Sequence, residues 1–175
     1  TAWLKGLEQF TDGHKSFIDY GCGKGNVVNG LKERYPDAEV RGYDPGMPDF
    51  ETVPDSEKTY EFLLCTDVLE HIEPDKIDDV MKHISLLFTK KAYLMIDTIP
   101  ARKFLPDGRN AHLILEQPEW WDIKIKENIK AKPIFVRPQP SNNQETPSKP
   151  NSFRTIAFQE PKKTLSKTKV FQNTP

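Results

Sequence analysis

At 175 residues, with 36% hydrophobic and 29% charged residues, the chain is long enough for one domain with a proper core and too short for two comfortable ones. Its net charge of −1 gives no global attraction to nucleic acid or to an anionic membrane, and no apolar run approaches the ~20 residues that cross a bilayer. Two distant cysteines, Cys22 and Cys65, and the lack of a basic-then-apolar leader at Thr1–Lys5 point to a reducing cytoplasm and not to a disulfide framework.

Apolar residues spaced three and four apart over Trp3–Phe10 predict a short amphipathic helix. Phe17–Tyr20 is a compact apolar strand that runs straight into Gly21-Cys22-Gly23-Lys24-Gly25. Val27, Val28, Leu31 and Tyr35 then mark one face of a helix, which Pro36-Asp37 ends. Glu39–Tyr43 reads as a second strand, closing at Asp44-Pro45-Gly46, whereas the acidic, proline-bearing stretch from Met47 to Thr59 shows no strand pattern. Tyr60–Cys65 resumes as a strand, and Asp67-Val68-Leu69-Glu70-His71-Ile72 follows it. Ile77, Val80, Met81, Ile84, Leu87 and Phe88 share one face of a helix from about Asp75 to Phe88. Lys91–Asp97 is nearly all apolar, as expected of a strand covered on both faces.

A long loop, Thr98–Gln117, carries Asp107-Gly108-Arg109-Asn110-Ala111-His112, and long ordered loops in compact domains are often functional. Pro118 opens a helix containing Trp120 and Trp121, one of them expected in the core. Strand candidates Pro133–Arg137 and Phe153–Phe158 flank a Pro, Ser, Asn and Gln-rich connection. Strands alternating with helices predict an α/β fold with a mainly parallel sheet, and the last two strands predict an antiparallel hairpin at one end. Residues 1–160 are expected to form one domain, with 161–175 a mobile basic tail.

A strand that ends in closely spaced glycines and opens a helix is a cofactor-binding turn. A nicotinamide fingerprint would place a third glycine or alanine where Asn26 stands, and a phosphate loop would end in Gly-Lys-Ser/Thr. Here Asp19 stands two residues before Gly21. A carboxylate in that place suits a cation and repels a pyrophosphate. No ligand spacing supports a metal site, although Asp97, His112 and Asp67 contain suitable side chains. Neither cysteine has an assignable base, so neither reads as a nucleophile.

Phe17–Gly25 resembles motif I of the class I S-adenosylmethionine-dependent methyltransferases, and Cys65–Ile72 resembles the segment after that family's fourth strand. The resemblance runs from about Phe17 to Trp121 and implies a Rossmann-like, doubly wound sheet with S-adenosylmethionine as cofactor. It implies cofactor contacts from Asp19, Tyr20, Gly21, Cys22, Gly23, Gly25, Tyr43, Asp44, Thr66, Asp67 and Val68, with Asp44 as the ribose acid. The family's third strand has no counterpart in residues 47–59, so it is short or missing here, and Asp49 and Asp55 are the candidates near the adenine.

Relatives often carry a histidine in the loop after the fifth strand that faces the substrate. His112 is therefore the first candidate for a general base and His71 the second. The plainer expectation for His112 is a backbone contact that stiffens the loop. For Asp67 and His71 it is a helix cap and surface pair; His14 and His83 have no functional context. DNA amino-methyltransferase and cytosine-C5 signatures are absent from the residues after Cys65, which favours a small-molecule, sugar or metabolite acceptor over nucleic acid. A cofactor-binding module without transfer, a cofactor-cleaving enzyme and a nicotinamide oxidoreductase are the competing functions.

Overall fold

The computed structural model describes residues 7–129 and the backbone of 134–138 and 154–156. Trp3 and the tail from 161 onward lie outside the described residues. A short helix, α1 (Glu8–Thr11), precedes β1 (Ser16–Tyr20), α2 (Asn26–Arg34) and β2 (Glu39–Tyr43). The chain continues through β3 (Tyr60–Thr66), a 3-10 turn at Leu69–His71, α3 (Ile77–Leu87), β4 (Phe88–Ile96) and α4 (Pro118–Asn128). It ends in β5 (Ile134–Pro138) and β6 (Arg154–Ile156).

The strands form one sheet in the order β2-β1-β3-β4-β5-β6. Four successive pairings are parallel and the last, β5 with β6, is antiparallel. Side chains alternate between the two faces with the period of two that a pleated strand imposes. Ile18, Leu63, Cys65, Leu94 and Ile96 join Ile77, Met81 and Ile84 of α3 and Trp121 and Ile125 of α4 in one buried cluster. Phe17, Phe62, Leu64, Tyr93 and Met95 join Phe10 and Leu31 in the other. Both faces are thus covered by helices, and the central strands read as continuous apolar runs for that reason. Among the described residues no helix is long and apolar enough to cross a membrane.

Two departures from the sequence reading have clear causes. Phe88 opens β4 instead of closing α3, because its buried ring is set by pairing with Tyr60 on β3. Residues 47–59 supply no strand beside β2, and the edge is covered by irregular chain instead. Arg41 donates to the Thr52 carbonyl at 2.9 Å, the Asp44 amide donates to the Phe50 carbonyl at 3.0 Å, and the Phe50 ring lies against Gly25 and Gly42. Trp121 is the core anchor (1% exposed), while Trp120 packs half-buried on the cluster's rim.

Sheet order places the site. Chain direction away from β1 reverses between β1 and β3, with α2 leading to β2 on one side and the later strands on the other. Open parallel sheets leave a crevice at the carboxyl ends of strands at such a reversal. The residues that end β1 and β3 are Tyr20 and Thr66, so Gly21–Gly25 and Asp67–Val68 face each other across it.

Candidate active site

The glycine turn is held from below by β2. Gly21 and Cys22 donate their amides to the Tyr43 carbonyl at 2.7 and 3.0 Å, and Gly23 donates to Asp44 Oδ2 at 2.9 Å. Gly21 has φ +81°, a left-handed conformation that a side chain resists. A Cβ there would stand 2.2 Å from Val68 Cγ2, so the two sequence motifs touch only because position 21 has no side chain. Gly23, at φ +51°, has open space above it, and its backbone is accessible to a ligand.

Electrostatics around the turn select for charge. Asp19 is 2% exposed, and burial followed by the nearby Asp44 pushes its carboxyl up to about 7. The Cys22 thiol is pushed up to about 12, first by burial and then by Asp19 and Asp44, which leaves it inert at neutral pH. Cys65 is fully buried and its thiol is likewise pushed up by desolvation. Two carboxyl groups that raise their neighbours' proton affinity form a place where a cation is favoured and a phosphate is not. Asp44 already accepts the Gly23 amide and, through Oδ1 at 2.8 Å, the Gly46 amide. A carboxylate has about four lone-pair sites, so acceptor capacity for two hydroxyls remains. These features fit S-adenosylmethionine, which carries an ammonium, a sulfonium and a ribose diol.

Of the residues expected around the cofactor, the structure gathers Asp19, Gly21, Cys22, Gly23, Gly25, Tyr43, Asp44, Thr66, Asp67 and Val68 at this end of the sheet. Tyr20 is turned away. Its ring packs on Tyr43 with centroids 4.9 Å apart, and its hydroxyl lies 3.1 Å from His83 Nδ1, so only its backbone faces the crevice. Asp67 adopts φ +55°, the one non-glycine residue with positive φ among those described, and its amide donates to the Met95 carbonyl at 3.0 Å. Such a conformation costs about 1–3 kcal/mol and concentrates where function constrains the backbone. Asp67 is not the helix cap that its position suggests, because a 3-10 turn beginning at Leu69, with Val68 at its N-cap, replaces an α-helical start. Asp49 is exposed, and Asp55 is used by its own turn, accepting the Glu57 amide at 2.9 Å.

Beyond Val68 the 3-10 turn and the long loop meet. The Glu70 carbonyl accepts the amides of Leu113 and Ile114 at 2.7 and 3.1 Å, and Glu70 Oε1 accepts the Asp97 amide at 2.7 Å. The Glu70 side chain is fully buried, which pushes its carboxyl up to about 7 against the opposing hydrogen bond from Asp97. Asn110 braces the loop, its Oδ1 accepting the amides of Ala101 and His112, each at 2.9 Å. His71 Nδ1 lies 2.8 Å from the Ala111 carbonyl, and His112 Nδ1 bonds the Ile99 carbonyl. The two imidazoles meet edge to face, centroids 4.8 Å apart. His112 therefore has the loop-stiffening contact, and its other nitrogen remains for chemistry. Glu70 was the residue least visible in the sequence; its adjacency to His71 in Leu69-Glu70-His71 was the only available signal.

Outside this cluster Arg109 grips Glu73 through two 2.8 Å bonds and Asp107 through one of 2.7 Å. All three side chains are exposed, and exposed pairs add little to stability. Arg109→Ala is expected to leave the denaturation midpoint nearly unchanged while speeding amide hydrogen exchange at Ala111 and Leu113. Unaltered exchange there would show that Asn110 alone fixes the loop. His14 lies at the opposite end of β1, beside a cavity of about 500 Å³ lined also by Arg34 and Tyr35.

The sequence pattern of the methyltransferase domain family matches residues 2–139. No curated protein matches the chain. Among solved structures, the fold is similar to an O-methyltransferase family protein from Burkholderia thailandensis, at 14% identity and a TM-score of 0.54 over 73% of this chain and 49% of that one. It is also similar to a SAM-dependent methyltransferase from Archaeoglobus fulgidus, at 17% identity and a TM-score of 0.50 over 72% of this chain and 65% of that one. The chain thus spans about half the length of the first and just under two thirds of the second. At these identities the likeness speaks for the fold.

Proposed function

Because the chain belongs to the class I S-adenosylmethionine-dependent methyltransferase family, with S-adenosylmethionine as its cofactor, we propose that it methylates an oxygen of a small-molecule, sugar or metabolite acceptor. The observation that supports this site is the pair of carboxyl groups, Asp19 and Asp44, around an open glycine turn at the reversal of the sheet. When bound, the cofactor supplies a methyl group already activated on a sulfonium. Asp19 would face its positive charge, Asp44 would accept from the ribose hydroxyls, and the open backbone at Gly23 would leave room for close approach. Val68 and Asp67 form the wall between this cofactor end and the histidines.

Methyl transfer needs alignment and exclusion of water more than it needs a strong catalyst. The acceptor end offers His112 and His71. In each, a carbonyl holds the Nδ1 hydrogen, so the neutral ring presents a lone pair at Nε2. That lone pair can take a hydroxyl proton or bind a Lewis acid, and both uses suit an oxygen nucleophile. The net charge of −1 favours a small acceptor over nucleic acid.

His112→Ala is expected to lower turnover by at least tenfold and leave cofactor affinity within a few fold, read from steady-state rates and calorimetry. Unchanged turnover would remove His112 from the acceptor end. The function itself is tested by incubating the protein with methyl-labelled cofactor and a metabolite extract. Label in a new product supports transfer to an acceptor. Cofactor breakdown without such a product would identify a cleaving enzyme, and binding alone a module without transfer.

A further inference from the structure

The cluster at the acceptor end holds more than a base requires. Glu70 Oε1 is satisfied by the Asp97 amide, but Oε2 is buried with no hydrogen-bond partner. A buried carboxylate oxygen without a donor is costly, and such orphans mark places where another group belongs. Beside it stand two imidazoles whose Nδ1 atoms face carbonyl oxygens. A carbonyl only accepts, so both rings carry the hydrogen at Nδ1 and keep Nε2 free for a positively charged partner. One ligand atom from each of Glu70, His71 and His112 lies within 4.8 Å of the others. Three ligands about 2.0–2.2 Å from one cation stand roughly 2.8–3.6 Å apart, so the side chains must close by about 1–2 Å from the widest spacing as the cation enters.

We propose that Glu70, His71 and His112 form a binding site for a divalent transition-metal cation whose remaining coordination positions receive an oxygen of the acceptor. One carboxylate and two imidazoles suit manganese, iron(II), cobalt or zinc, whereas calcium and magnesium prefer oxygen-only sets. The surroundings are those of a built site. Both ligand histidines are oriented by backbone carbonyls, and the carboxylate is oriented by the Asp97 amide. Orienting bonds of this kind fix tautomer and direction around bound metals. Asn110 and the Glu70 carbonyl clamp the loop that brings His112 to the turn that carries the other two. Glu70 is buried and His71 exposed, so a cation enters from the His71 side.

The site stands on its own geometry, and only the role of its open positions rests on the oxygen-acceptor reading above. A lone pair on a cation cannot also take a proton. With metal bound, His71 and His112 are ligands, and the cation polarises the acceptor oxygen in place of a base.

The test uses the full chain, free of any metal-binding tag and treated with chelator, titrated with Co²⁺ in the absence of cofactor and acceptor. One Co²⁺ per chain is expected, with visible ligand-field absorption. Glu70→Gln and the exposed-site change His71→Gln should each weaken binding at least tenfold, with folding checked by circular dichroism. His83→Gln, elsewhere in the fold, should leave binding intact. Absence of saturable binding overturns the site, as does binding indifferent to Glu70→Gln and His71→Gln or lost in His83→Gln. None of these results touches cofactor binding at the glycine turn. Methyl-transfer rates that are equal with chelator and with Co²⁺ would overturn the acceptor role assigned to the cation while leaving methyl transfer in place.

Discussion

Gly21→Ala is expected to abolish cofactor binding and to destabilise the protein by about 2–4 kcal/mol. Two costs add. Alanine resists φ +81°, and its Cβ would fall 2.2 Å from Val68 Cγ2, 3.0 Å from Cγ1 and 3.2 Å from Cβ. Rotating Val68 brings no relief, because its Cβ is itself close and its branched side chain has few rotamers. Either the turn or the Asp67–Val68 segment must move, and both line the crevice. Gly23→Ala makes the informative contrast. Nothing lies within 4 Å of a Cβ at that position, so only conformational strain is added, about 1 kcal/mol. Its effect on cofactor affinity should nevertheless be at least tenfold, since the added methyl occupies the approach to the backbone. Denaturant unfolding and calorimetry on both variants separate the two quantities. Equal destabilisation by the two changes would contradict the packing argument.

Asp19→Asn should raise the stability of the cofactor-free protein at pH 8 while weakening its hold on the cofactor. Burial and Asp44 raise the folded-state carboxyl to about 7 from an ordinary value of 3.8. Below pH 3.8 both folded and unfolded chains are protonated, and no penalty arises. As pH rises from 3.8 toward 7 the unfolded chain ionises first, so the folded state loses relative stability. Above 7 the full penalty, on the order of 2–4 kcal/mol, is present and constant. The asparagine variant lacks that decline. For the same reason wild-type affinity for the cationic cofactor should climb with pH up to about 7 and then level, because binding requires the ionised carboxylate. In Asp19→Asn the affinity should be at least tenfold lower and nearly flat between pH 5.5 and 7.5. A wild-type affinity independent of pH would place the cofactor's charge away from Asp19.

The parts of this fold that announce themselves in the sequence are those whose signals are local. Phe17–Tyr20 and the glycines after it, the 3.6-residue spacing of Ile77, Met81 and Ile84, and the apolar run of β4 each depend on neighbours along the chain. Asp19 was singled out by its place two residues before Gly21, and Asp44 by the family resemblance at the end of the second strand. What escaped depends on contacts remote in sequence. Phe50 sits in a stretch with no period, and only its packing on Gly25 and Gly42 shows that irregular chain does the work of a strand at the β2 edge. Phe88 joined β4 because of Tyr60, 28 positions earlier in the chain. Glu70 looks like any surface acid beside His71, and its burial follows from a loop about 40 residues away that docks on its carbonyl. His112 was singled out by its place in that loop and by the family resemblance, but neither the Ile99 bond that sets its tautomer nor its approach to His71 could be read from spacing.

The location of the cofactor is tested most directly by adding S-adenosylhomocysteine to ¹⁵N-labelled protein and following the glycine amides. Gly21, Gly23, Gly25 and Gly46 should shift, while Gly13, which precedes β1 at the opposite end of the strand, should stay in place. Shifts confined to Gly13, with the turn after β1 unmoved, would contradict the account.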